Sequence, residues 1–241
     1  VSLAIQRQRC GWGLRTALRS ALLPVVAVLA ALLVGAMLMV AAGASPLLAY
    51  GSLFRQALTT YFGFADTLTK TTPLLLVSLG VLVALRAGQF TLGGEGQIYM
   101  GGSLVFGPLK ADNAPSPLSD LVAESARLPP ILPKTQAHAG SFLGLALAVL
   151  LTLAFALSAW GYRVDAVGQN PTAARYAGIP VNRTILGVMA LSGGLAGLAG
   201  SSEVLGLKYR LFEGFSPGYG FDAVAIALLS RGTPAAVIVT A

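Results

Sequence analysis

The chain has 241 residues, 55% hydrophobic and only 10% charged, too few polar side chains to coat a soluble globule of this size. Its apolar residues gather in runs near helix-spanning length rather than alternating, which excludes a β-barrel and predicts an all-α integral membrane protein, a polytopic transmembrane helix bundle with broken or short helices. The formal charge of +7 comes from scattered basic residues with no RNA-binding signature, so nucleic acid is not an expected partner, and the single Cys10 excludes an internal disulfide or a cysteine-rich metal site.

Arg7, Arg9, Arg15 and Arg19 precede the first apolar run and place the N-terminus in the cytoplasm by the positive-inside rule. The first span covers about Ala21 to Ala44. Its uncharged part is too long for a signal peptide, despite the Ala42-Gly-Ala44 that follows. Residues 45–70 are mixed and form an outside segment with a short helix around Leu53 to Tyr61. A brief second span, Thr71 to Leu85, is stopped by Arg86 and falls short of the hydrocarbon thickness, so it is thinned around, extended by its flanks or buried as a broken helix.

From Gly88 to Gly107 glycines at 88, 93, 94, 96, 101 and 102, with Glu95 and Gln97, interrupt an apolar stretch, which makes poor helix material. Such backbone survives at membrane depth only beside protein or a water-filled cavity. Residues 108–138 are polar and proline-rich, an outside loop. A full span follows at Ala139 to Trp160, then a loop over 161–183 that shares the side of the N-terminus, and another crossing from Ile185 to Gly200. An outside loop carries Glu203, Lys208, Arg210, Glu213 and Asp222. The last apolar stretch begins at Ala223, is broken by Arg231-Gly-Thr-Pro234, and stops at Ala241 in mid-run, so a chain incomplete at its C-terminus is expected.

The loop over 161–183 contains one very short helix with both ends marked. Asn170 can cap free N–H groups, Pro171 suits the first helical position, Gly178 can take the left-handed closing conformation, and Pro180 forbids continuation. About two turns remain, unstable alone in water, so something holds them. The two readings are a docking surface for another protein, with Ala173, Ala174 and Gly178 allowing close approach and Arg175 and Tyr176 as anchors, and a surface helix in the headgroup layer.

Leu191-Ser-Gly-Gly194 matches the opening of an ATPase signature, yet it sits in an apolar span and no phosphate loop ending in Gly-Lys-Ser or Gly-Lys-Thr exists in the chain. Packing explains it: Gly193 and Gly197, and Ser192, Ala196 and Gly200, form two small-residue ridges. Glu95, an acid near membrane depth, is either a lining residue of a solute path with Thr91 and Gln97, or a carboxylate capping the start of a broken helix. His138, the sole histidine, reads as interfacial, as do Phe212, Phe215, Tyr219 and Phe221. With one His and one Cys the chain offers no catalytic constellation and no metal site, and no cofactor of its own is expected.

Thr172-Ala173-Ala174, three residues and then Gly178 resemble the Glu-Ala-Ala-x-x-x-Gly of the cytoplasmic coupling loop of ABC importer permeases, with Thr172 in the place of the acid. The wider run Ala166–Ile179, together with Leu85-Arg-Ala-Gly-Gln-Phe-Thr-Leu-Gly-Gly-Glu-Gly-Gln97 and Glu213-Gly-Phe-Ser-Pro-Gly-Tyr-Gly-Phe-Asp222, is similar to the nucleoside and simple-sugar branch, the ribose-permease-like members of the branched-chain/sugar permease superfamily. The resemblance implies one transmembrane permease domain over 1–241 in a bacterial inner membrane, importing a nucleoside or sugar. It implies coupling to a separate ATPase, which binds the ATP, through Gly168, Asn170, Pro171, Ala173, Ala174, Arg175, Tyr176 and Gly178. It further implies a second permease subunit, alike or related, and an extracytoplasmic solute-binding protein. Family members carry two or more further crossings where Val105 here leads directly to Phe106-Gly-Pro-Leu-Lys110, so an internal gap is expected near 105/106; they also show Asn where Thr91 stands. The other readings are a secondary transporter or channel using Glu95, and a non-transporting fragment.

Overall fold

The computed structural model of the chain describes residue 26 and residues 29–100, 119–212 and 216–241. The basic N-terminal group, Cys10, the start of the first span, the expected gap near 105/106, Glu213 and Phe215 lie outside the described residues.

The chain divides into two compact units, Val1–Thr59 and Thr60–Ala241. In the first, α1 (Leu29–Ala41) and α2 (Pro46–Thr59) are joined by a turn in which Gly43 takes a φ of +78°. Tyr50 Oη donates to the Leu32 carbonyl at 2.8 Å and ties the two helices together. The helix expected around Leu53 to Tyr61 therefore begins earlier, at Pro46, and stops before Thr60.

In the second unit, α3 (Tyr61–Arg86) is the central element. The sequence suggested a brief span from Thr71; the helix instead has 26 residues, about 39 Å at 1.5 Å per residue, enough to cross unaided. The charges that hid its first turns, Asp66 and Lys70, form an exposed i,i+4 pair at 2.8 Å and so continue the helix rather than break it. Thr72 to Ala84 is buried on every side except Leu74, which is half-buried, as expected of a helix surrounded by others.

Two further long helices pack on it. The first, α5 (Gly140–Leu157), is tied to α3 near one end, where Thr72 Oγ1 donates to Ser141 Oγ at 3.1 Å, and near the other, where the Arg86 guanidinium lies over the Phe155 ring at 4.0 Å. The two helices therefore run in the same direction, with Arg86 marking a proximal end and Thr72 a distal one. The second, α8 (Val181–Glu203), starts at the proximal end and continues through a π-helical turn, Val204–Lys208. The sequence placed Glu203 and Lys208 in an outside loop; the apolar residues Ala199, Val204 and Leu205 carry the helix past them. The outer charged loop is corrected further at Asp222, which lies in the first turn of α9 (Tyr219–Leu229).

The shorter helices are α4 (Gly93–Met100), α6 (Ala159–Gln169), α7 (Pro171–Tyr176), α9, and α10 (Pro234–Thr240). Ser158, extended at φ −104° and ψ 150°, separates α6 from α5, so the expected span to Trp160 ends at Leu157. The break read at Arg231–Pro234 is present: α9 and α10 are bent by 120°, with Arg231 and Gly232 at positive φ and Pro234 opening α10. By length and composition α3, α5 and α8 with its π turn can each cross a membrane, and α9 with α10 can do so only as one broken pair. The described residues are thus those of an all-α membrane protein, and the second unit is a helix bundle.

Close approach holds this bundle together, because lipid gives apolar side chains no reason to prefer one another. A Cβ at Gly80 would stand 2.8 Å from the Ser192 carbonyl oxygen, where α3 crosses α8, whereas one at Gly51 would meet nothing within 4 Å. Replacing Gly80 by Val is expected to destabilise the protein by about 1–3 kcal/mol. Thermal unfolding in detergent should show a lowered midpoint for Gly80→Val, larger than that of Gly51→Val; equal midpoints would contradict the packing described.

Candidate functional site

The proximal end carries the short helix α7. Asn170 is extended and its Oδ1 accepts from Thr172 N and Ala173 N, both at 3.0 Å, so two of the orphan N–H groups of the first turn are satisfied. At the other end Gly178, at φ +79°, donates to the Arg175 carbonyl and Ile179 donates to the Ala174 carbonyl, each at 3.0 Å. That pair of bonds is a Schellman closure, and its usual hydrophobic contact is present: Ala174 is buried in a small cluster with Val167 and Val181, flanked by Ala166, Ile179 and Ile185. This cluster is what holds two turns of helix that could not persist alone.

Ala174 therefore faces the chain's own interior, while Pro171, Ala173, Arg175, Tyr176 and Gly178 are exposed, Tyr176 at 90%. Beside them Arg175, Ile179, Pro180, Val181, Asn182 and Arg183 line an open groove of about 470 Å³. Neither guanidinium has an ion pair among the described residues, so the groove is cationic.

Gly168 serves a different contact. A Cβ there would sit on the Arg86 carbonyl oxygen, and one at Gly88, itself at φ +73°, would lie 3.2 Å from the Gly168 carbonyl oxygen. The last turn of α6 is thus pressed against the end of α3. Over the same joint Arg86 Nε donates to Asp165 Oδ1 at 2.9 Å and Arg86 Nη2 to Asp165 Oδ2 at 2.6 Å, a bidentate pair with both side chains about three-quarters buried. The Phe155 ring under the guanidinium, with Trp160 at 5.2 Å, completes the clamp. Sequence reading missed Asp165 and took Arg86 only as a stop.

Deeper in the bundle, Thr91 Oγ1 accepts from Gly93 N at 3.1 Å at the start of α4. Glu95, in the first turn of α4, accepts from Gly220 N at 2.5 Å through Oε2. One carboxylate therefore caps the N-terminus of α9 while sitting at that of its own helix, and both dipoles favour its charge. A Cβ at Gly220 would fall within 2.3 Å of Glu95 N, so only glycine allows the two helix starts to meet. Sequence reading named the capping role but not the partner, which lies 125 residues away.

Gln97 points elsewhere. With Ile98, Gly197, Gly200, Ser201, Val204, Leu205 and Leu211 it lines a cavity of about 330 Å³ between α4 and α8. The three small residues of α8 divide accordingly. Gly193 lies under the Gln97 amide and Gly200 against Ile98, while a Cβ on Gly197 would meet nothing within 4 Å. The face that packs on α3 is that of Ser192 and Leu195, at Gly80. Leu191-Ser-Gly-Gly194 lies within α8.

At the distal end His138, read from sequence as interfacial, is buried: its Nδ1 accepts from Gly140 N at 3.2 Å and its ring lies against Gly206, which has no side chain to displace it. Burial pushes its pKa below the usual histidine value. Glu203 is 3% exposed and 3.9 Å from Lys208 Nζ.

The sequence pattern of the family described as "Branched-chain amino acid transport system / permease component" matches residues 111–241. Among curated proteins, the chain is similar to the glucose ABC transporter permease protein TsgB13 of Haloferax volcanii, at 29% identity over 87% of this chain and 74% of the relative. It is similar also to the guanosine ABC transporter permease protein NupP of Bacillus subtilis, at 27% over 91% of this chain and 82% of that one. A third relative is the nucleoside ABC transporter permease protein NupB of Lactococcus lactis, at 25% over 92% and 81%. No solved structure matches the chain. With more than half its length matched, the chain belongs to this permease family, a multi-pass membrane subunit of an ABC importer.

Proposed function

We propose that the protein imports a nucleoside or simple sugar by alternating access, driven by a separate ATPase that docks on α7 and supplies the ATP site. The observation that carries this reading is the geometry of α7: capped at Asn170, closed at Gly178, anchored by Ala174, and presenting Ala173, Arg175 and Tyr176 outward. Three relatives named for glucose, guanosine and nucleoside transport support the solute class. The cationic groove of Arg175 and Arg183 fits carboxylates on the ATPase. Burying a charge-paired rim of this kind favours encounter with the right partner and makes docking sensitive to salt.

The solute path in this reading passes between α4 and α8, where Gln97 and Ser201 offer an amide and a hydroxyl to solute hydroxyl groups in a cavity of ligand size. Thr91 and Glu95 shape that path by fixing the starts of α4 and α9. An extracytoplasmic receptor delivers solute, a second permease subunit faces this one, and the N-terminus and α7 lie in the cytoplasm of a bacterial inner membrane. We also propose the internal gap near 105/106. The match to the Haloferax relative runs over 283 positions but draws on 87% of 241 residues, about 210, so about 70 positions of it have no counterpart here.

Uptake in proteoliposomes carrying the permease, its ATPase and receptor should require ATP and proceed without a proton gradient; uptake driven by an imposed proton gradient alone would favour a secondary transporter and overturn this reading. Gly178→Val removes the left-handed closure and is expected to leave ATP hydrolysis while reducing uptake per ATP by about tenfold, since a β-branched residue at positive φ costs of order 1–3 kcal/mol. Unchanged uptake would remove α7 from the mechanism. Filling the cavity with Gly197→Leu, whose side chain meets no neighbour at its Cβ, should block uptake while the thermal midpoint stays unchanged; normal transport would place the path elsewhere.

A further inference from the structure

We infer that the Arg86–Asp165 clamp, seated on the Gly88–Gly168 contact, is the joint that passes displacement of α7 into the central span. This rests on the reading of α7 as the ATPase-docking element and adds the route by which its motion leaves it.

The route follows from what α7 is attached to. Its one buried residue, Ala174, packs on Val167 of α6 and Val181 at the start of α8, and a single extended residue, Asn170, links α7 to α6. A pull on α7 is therefore a pull on α6 as well as on the start of α8. On its other side α6 meets the end of α3 at the place where Gly168 and Gly88 bring two backbones into contact, leaving no side chain to yield between them. Backbone contact alone passes compression. A planar guanidinium held by both oxygens of one carboxylate also passes tension and torque, because the fork fixes orientation as well as distance.

The connection to α5 is built differently. Ser158 interrupts the helix there in an extended conformation, with its Oγ accepting from Gly161 N at 3.2 Å, while a Cβ at Gly161 would meet the Phe155 backbone. A change in ψ at one residue can alter the angle between α5 and α6, and because Phe155 rests under the same guanidinium, the end of α5 moves with the clamp rather than opposing it. From α3 the displacement reaches the interior directly: Gly94 of α4 lies against Val77, and Glu95 ties α4 to α9 through Gly220. One of the two helices that border the cavity, α4, is thus downstream of the clamp.

Lysine at position 86 would keep the charge and lose the fork, and asparagine at 165 would keep the shape and lose the charge. The test uses the assembled transporter in liposomes with Arg86→Lys, Asp165→Asn, and the exchange Arg86→Asp with Asp165→Arg. It reads ATP hydrolysed per solute imported, together with copurification of the ATPase. Each single variant is expected to raise ATP consumed per solute by about tenfold, the scale of one lost charge-assisted hydrogen bond, with the ATPase still bound. The exchange should recover part of that loss; full recovery is not expected because Phe155 would face a carboxylate. Unchanged stoichiometry in both single variants would overturn the proposal, and so would loss of uptake together with loss of the ATPase, which would make the pair structural. A Thr172→Cys crosslink to the ATPase in the otherwise unaltered protein separates the two levels. Its absence would sink the docking reading, and its presence with unchanged stoichiometry would sink the clamp alone.

Discussion

A charge at the end of a buried helix has to be paired, and the way Arg86 is paired organises the proximal half of this protein. Its guanidinium takes both oxygens of Asp165 and rests on Phe155, so the ends of α3, α5 and α6 converge on one side chain. With those ends fixed, Gly168 can meet the α3 backbone, α6 holds its position beneath α7, and α7 presents Tyr176 outward. In this account the docking surface is rigid because the clamp is.

The same demand for internal satisfaction shapes the interior. Lipid offers no partners to a free N–H, so a helix that starts inside the bundle must bring its own cap. Here Glu95 supplies one across a separation of 125 residues, and Gly220 admits it. A carboxylate at that depth is stabilised by the helix starts it caps, which supports a structural assignment for Glu95 over an ion-carrying one. The cavity then falls to Gln97 and Ser201, on the faces that capping leaves free.

Much of the fold was legible from composition and local chemistry. The ends of α7 could be read residue by residue, since Asn170, Pro171, Gly178 and Pro180 act through backbone preferences that neighbours do not change. The break at Arg231–Pro234 was visible for the same reason. The long spans were underestimated wherever a charge was treated as a boundary. Asp66 and Lys70 satisfy each other along α3, and Glu203 is carried inward by apolar neighbours, so neither marks an end. Contacts made by distant pairs left no local signal. Asp165 differs from an ordinary loop acid only in facing Arg86, Gly206 is required only because His138 turns inward, and the partition of Gly193, Gly197 and Gly200 depends on where α4 lies. Periodicity identifies a small-residue face without saying what covers it.

The central claim is that an ATPase covers α7, and Tyr176 reports on it directly, being almost fully exposed in the chain by itself. Hydroxyl-radical labelling followed by mass spectrometry should be applied to the permease alone and in its assembled transporter. The account predicts that Tyr176 labels readily in the first and is strongly protected in the second. Equal labelling of Tyr176 in both preparations, with the ATPase demonstrably bound, would contradict it.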